Sequence, residues 1–114
     1  MARVVAFIPD LLFGSNVVGA LGAAGHDTVL VADGDSLMRE LPGARVLIVD
    51  LTTDPDVRID VVRALPPGGY KTLAFYSHVE ADVRASAEAA GFDLVVPRSR
   101  MAREGGALVD RLVG

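Results

Sequence analysis

The stretch Val-Leu-Ile-Val-Asp-Leu-Thr-Thr-Asp, residues 46–54, decides the fold. Its apolar run, Val46–Val49, is too short for a helix and shows no alternation, which suits a strand buried on both faces of a parallel sheet. The run stops on Asp50 and a polar loop. Similar runs occur at Val4–Ile8, Thr28–Ala32, Thr72–Tyr76 and Leu94–Val96, each ending in polar or turn-forming residues.

Between these runs the apolar residues take helical spacing: Val17, Val18, Leu21 and Ala24; Leu37, Met38 and Leu41; Val57, Val61, Val62 and Leu65; Val83, Ala87 and Ala90; Leu108, Val109 and Leu112. Ser15 is placed to cap the first helix and Gly25 to close it, while Gly91 lies just past the fourth. Pro42-Gly43 and Pro66-Pro67-Gly68-Gly69 break the chain between helix and strand. Five strands alternating with five helices predict one doubly wound α/β domain over residues 1–114.

The bounds narrow the function. A chain of 114 residues can bury a core without staples, and the absence of cysteine excludes disulfides and thiolate metal sites. Eleven basic and 15 acidic residues give a net charge of −4, which disfavours non-specific nucleic-acid binding. The apolar run after Arg3 is too short for a signal peptide or a membrane span. The expectation is a soluble cytoplasmic protein with no direct nucleic-acid or membrane partner.

In open parallel sheets, ligands gather outside the carboxyl ends of the strands. The candidate rim is therefore Pro9-Asp10, Asp33-Gly34-Asp35, Asp50 to Asp54, Ser77-His78 and Pro97-Arg98-Ser99-Arg100.

Five βα units, an acid after strand one, Asp50 ending strand three, hydroxyl residues ending strand four and the Ala90-Gly91 turn together resemble the receiver domain of bacterial response regulators. The wording "PDLLFGS", "VLIVDL", "FYSHVEADV" and "AGFDLVVPRSR" is similar to an atypical branch of that family. The resemblance covers essentially the whole chain. It implies a flavodoxin-like five-stranded parallel sheet in order 2-1-3-4-5, with helices on both faces. It also implies a phosphoacceptor at Asp50, a Mg²⁺ ion held by Asp10 and Asp50 if Asp50 is phosphorylated, and a phosphoryl-binding hydroxyl at Ser77, or at Tyr76 with the register moved by one. The family's second acid is replaced by Pro9. Its lysine after strand five is replaced by Pro97 or Arg98, and a planar guanidinium does not copy an ammonium.

What the resemblance implies is a stand-alone signalling module without enzymatic activity that docks to a protein, such as a histidine kinase or another signalling protein, with weak or no phosphorylation. The face of helix four, strand five and helix five, with Arg98 and Arg100 beside Val95, is the expected docking surface. A homodimer is compatible with this reading. The alternatives are a conventional regulator phosphorylated on Asp50 with Mg²⁺, or a small-anion or nucleotide-binding domain or enzyme using Arg98, Arg100 and helix N-termini. On the same sequence, Pro97 is expected to turn the chain away from the sheet, and a following guanidinium is expected to pair with Asp50 or Asp10.

Other motifs read more plainly. Ser77 and His78 are expected to cap helix four, because a single histidine is weak ground for a metal ligand or general base, and no nucleophile-elbow glycines surround Ser77. "FGSNVVGALGAAGHD" lacks the tight glycine turn of a dinucleotide fingerprint. Gly19 and Gly22 are instead expected to pack helices. Leu11-Leu12-Phe13 is read as loop, with Phe13 folded back onto the helix.

Overall fold

The computed structural model describes residues 2–114; of the expected domain, Met1 alone lies outside them. The strands are β1 (Arg3–Phe7), β2 (Asp27–Val31), β3 (Val46–Asp50), β4 (Lys71–Tyr76) and β5 (Leu94–Pro97). They alternate with α1 (Leu11–Ala23), α2 (Gly34–Glu40), α3 (Pro55–Arg63), α4 (Ala81–Ala89) and α5 (Arg98–Val113). All pairings are parallel and the order is β2-β1-β3-β4-β5, as the alternation and the resemblance predict.

Because successive side chains of a strand point to opposite faces, each apolar run feeds two cores. Val4, Ala6, Val46, Ile48, Leu73, Phe75 and Val96 meet α1 and α5 through Phe13, Val17, Leu21, Met101, Leu108 and Val109. Val5, Phe7, Leu47, Val49, Ala74 and Tyr76 meet α2, α3 and α4 through Leu37, Ile59, Val83 and Ala87. This double burial is why the runs lack polar alternation.

Several local expectations are corrected. Asp10, not Ser15, caps α1, its Oδ1 accepting from the amides of Leu12 and Phe13 at 3.0 and 3.1 Å. Leu11-Leu12-Phe13 is thus the first helical turn rather than loop, because the short acidic side chain of Asp10 just before it satisfies the free amides. Neither Ser77 nor His78 caps α4; Glu80 holds that position, with no side-chain cap bond. A turn closed by the Glu80 amide on the Ser77 carbonyl separates them from the helix.

The close-packing glycine of α1 is Gly14, where a Cβ would lie 2.7 Å from Leu30 Cδ1; at Gly19 and Gly22 a Cβ would meet nothing within 4 Å. Gly25 and Gly91, at φ of 90° and 91°, close α1 and α4 as the sequence suggests. Finally, Arg98–Arg100 form the first turn of α5 and not a loop. Pro97 ends β5 and begins the helix at once, its φ of −63° and ψ of 150° serving both elements.

Candidate functional site

The rim encloses an open cleft of about 700 Å³ lined by Asp10, Phe13, Thr52, Thr53, Ser77, His78, Glu80, Arg98, Ser99 and Ala102. The topology brings these residues together, since the ends of β1, β3, β4 and β5 are neighbours in the sheet. Of the candidates from sequence, Asp10, Ser77, His78 and Arg98 line the cleft. Asp50 lies beneath it, only 3 % exposed. Arg100 points elsewhere on α5, its Nε 3.4 Å from Glu104, and is not part of the cleft.

Register settles which hydroxyl faces the cleft. Tyr76 pairs with Pro97 inside the sheet and is buried against the α2–α4 core, so Ser77 presents its hydroxyl at the rim. The next residue after β5 is Arg98, which begins α5 with its guanidinium over the cleft.

Arg98 is the one guanidinium among the lining residues, and two contacts engage it. Its Nη2 stands 3.7 Å from Asp10 Oδ2, and its Cζ lies 4.2 Å above the Phe13 ring. Phe13 in turn rests on Phe75, ring centroids 5.1 Å apart. The stack places a cation over an aromatic face that is anchored in the core. Two arginines in the first turn of α5, with no acid there, oppose the positive end of the helix dipole. Asp10 offsets part of that charge.

The chain holds a single lysine, Lys71, and it begins β4 at the opposite edge of the sheet. No ammonium is therefore available to the rim. This was legible from a residue count once the strand ends were assigned.

Asp50 is engaged within its own loop. Its Oδ1 accepts from the Thr52 amide at 2.8 Å and from the Thr52 hydroxyl at 2.5 Å. The loop is held from below by Arg58, a buried residue of α3. Arg58 Nη1 donates to the Asp50 carbonyl at 3.1 Å, to the Thr53 hydroxyl at 2.9 Å and to the Thr53 carbonyl. Asp54 then takes a left-handed conformation, φ 45° and ψ 50°, immediately before Pro55. Such a conformation costs about 1–3 kcal/mol and persists where its surroundings hold it. Sequence reasoning missed Arg58, since nothing in a helical arginine signals burial.

The oxygen donors for a cation are few. Among the described residues, no three histidine, aspartate or glutamate side chains gather in a metal-binding group. One Asp10 oxygen caps α1 and the other faces Arg98, while Asp50 Oδ1 already accepts two bonds.

No family model and no curated protein matches the sequence. Solved structures do. A response regulator receiver protein from Burkholderia phymatum is 24% identical, with TM-score 0.83 over 100% of this chain and 96% of that one. A Francisella response regulator receiver domain reaches TM-score 0.84 at 14% identity, over 99% of this chain and 97% of that one. The receiver domain of a sensor histidine kinase from Pseudomonas aeruginosa, with magnesium coordinated in its active site cleft, gives TM-score 0.78 at 18% identity over 99% and 98%. The chain has the receiver fold of response regulators, the flavodoxin-like order that the sequence suggests.

Proposed function

We propose that this chain is an atypical receiver-type signalling module that acts by docking to a protein partner, such as a histidine kinase or another signalling protein, with weak or no phosphoryl acceptance at Asp50. The observation that carries this reading is Arg98, 3.7 Å from Asp10 and stacked on Phe13. Phosphoryl transfer depends on positioning and on neutralising the charge that spreads over the phosphoryl oxygens. Here the one guanidinium of the cleft already faces the Asp10 carboxylate before any phosphoryl group arrives. The residues present also do not fit a receiver-type Mg²⁺ site. Magnesium takes oxygen ligands in near-octahedral array, whereas Asp10 is turned to a helix cap and a guanidinium, and Pro9 offers no carboxylate.

Docking then falls to the exposed surfaces, and the face of α4, β5 and α5 offers exposed Arg98 at the start of α5. Such a module binds rather than catalyses. No helix of the described residues is long and apolar enough to cross a membrane.

A second reading, the conventional regulator with Mg²⁺ and a phosphorylated Asp50, is favoured by Asp50 ending β3 and by the Ser77 hydroxyl in the cleft above it. Titration with Mg²⁺ and beryllofluoride, a phosphoryl mimic, separates the two when followed by calorimetry. The expected result is no saturable binding, as for Asp50→Asn. Saturable binding that Asp50→Asn abolishes would overturn the proposal in favour of the second reading.

A further inference from the structure

We propose that the loop Leu51–Asp54 is a latch closed over the Asp50 carboxylate, with Arg58 as the residue that positions it. The inference rests on reading the rim as the functional site, and it concerns how that site is regulated.

Three observations point to a latch. Thr52 and Thr53 line the cleft while Asp50 is only 3 % exposed, its Oδ1 bound by Thr52 and its Oδ2 alone left to reach solvent, so the loop covers most of the carboxylate. The loop is tied at both levels. Thr52 donates twice to Asp50 Oδ1 from above, and Arg58 binds the Asp50 and Thr53 carbonyls and the Thr53 hydroxyl from below. Lastly, Asp54 is the one non-glycine residue with positive φ among the described residues, and it carries no side-chain cap bond to α3.

A strained residue at the hinge of a loop favours opening, and the buried guanidinium opposes it. Arg58 has no carboxylate within 4 Å among the described residues' ion pairs; loop carbonyls and a hydroxyl accept from its Nη1 instead. Burying an arginine against carbonyl oxygens makes the closed loop the arrangement that satisfies the cation. Opening the loop strips those acceptors away. The access of Asp50 to the cleft is therefore governed by Arg58, and a partner that engages Thr52 and Thr53 at the surface acts directly on the latch.

Labelling of carboxylates in the folded protein by a water-soluble carbodiimide and an amine, read residue by residue by peptide mass spectrometry, tests this. Asp56 and Asp60, both exposed on α3, serve as references. Asp50 is expected to label more slowly than either. Arg58→Met keeps the apolar stem and removes the donors. It should raise Asp50 labelling about tenfold, the scale of losing one charge-assisted hydrogen bond, while amide exchange in β4 stays unchanged. Asp50 labelling as fast as Asp56 in the unmodified protein overturns the latch, as does an unchanged Asp50 rate in folded Arg58→Met. Should Arg58→Met not fold, Thr52→Val serves, since it removes only the hydroxyl donor to Asp50; faster labelling supports the latch and an unchanged rate refutes it. Labelling needs neither metal nor phosphodonor, so the latch stands or falls separately from phosphoryl acceptance.

Discussion

Helices α1 and α5 lie side by side and are joined at both ends by different means. At the amino edge of the sheet, buried His26 accepts from the Ala2 amide at Nδ1, 3.3 Å, which leaves the ring proton on Nε2 to be donated to Asp110 at 2.6 Å. At the carboxyl edge, Arg98 and Asp10 stand 3.7 Å apart, each about half exposed. The first contact is short and made by a buried ring whose other nitrogen binds the backbone, with Asp110 itself exposed. The second is long, wet and held in place by an aromatic ring.

The same contrast runs along the two edges. The amino edge is closed by Arg3, whose Nη2 donates to the carbonyl and carboxylate of Glu40 at 2.9 Å. It is closed again by Thr72 and Asp93, which exchange bonds of 2.8 to 3.1 Å between the starts of β4 and β5. At the carboxyl edge the cleft stays open, and exposed Leu11, Leu12 and Val79 stand on the same side of the sheet. The amino-edge bonds join separate elements, whereas those at the carboxyl edge stay within the loop after β3 and α3, the Arg98–Asp10 pair excepted. The edge with the weaker ties between elements is the one outside which open parallel sheets gather their ligands.

If that division holds, substitutions at the two edges should differ in size. The largest effect is expected for His26→Ala, which removes a buried ring and two hydrogen bonds and should cost about 2–4 kcal/mol of stability in urea unfolding. A cost equal to that of a surface change would break the comparison. Asp10→Ala should cost about 1 kcal/mol, chiefly through the lost cap of α1, and Asp10→Asn, which still caps, should recover most of it. Failure of the asparagine to rescue would assign the loss to the Arg98 pair instead.

Arg98→Ala comes lower, below about 1 kcal/mol, because an exposed pair and an exposed cation over a ring each contribute little. Its loss should shrink further in high salt, which a thermal melt at two ionic strengths would show. The smallest effect concerns Asp33, whose carboxyl is held below the ordinary aspartate value of 3.8 mainly by the Ser36 amide that it caps. A depressed folded-state value means a contribution fully present above the ordinary value of 3.8 and lost as pH falls through the lower, folded-state value. Melting temperatures of the native protein and Asp33→Ala should therefore converge only in acid, below pH 3.8.

The sheet was readable because double burial writes an unbroken apolar run into the central strands and half-burial still leaves β2 and β5 largely apolar, and the observed strand ends differ from those runs by one residue at most. Helix starts were less readable. Ser15 and the Ser77-His78 pair are good cap residues by type, yet caps are decided by where the backbone enters the helix, and Asp10 and Glu80 stand at those points. The rim followed from topology, so Asp10, Ser77, His78 and Arg98 could be gathered in advance. Arg100 could not be separated from Arg98, because the direct passage from β5 into α5 turns the two side chains to different surroundings. Arg58 and His26 left no local sign, since their burial comes from the loop above one and the helix beside the other.

The central proposal is that the open edge has the shape of a receiver site with weak or no phosphoryl acceptance at Asp50. Its most direct test is the intact mass of the protein after incubation with Mg²⁺ and acetyl phosphate. The account predicts the same unshifted mass for the native chain and for Asp50→Asn. A phosphorylated species in the native chain that is absent from Asp50→Asn would contradict it.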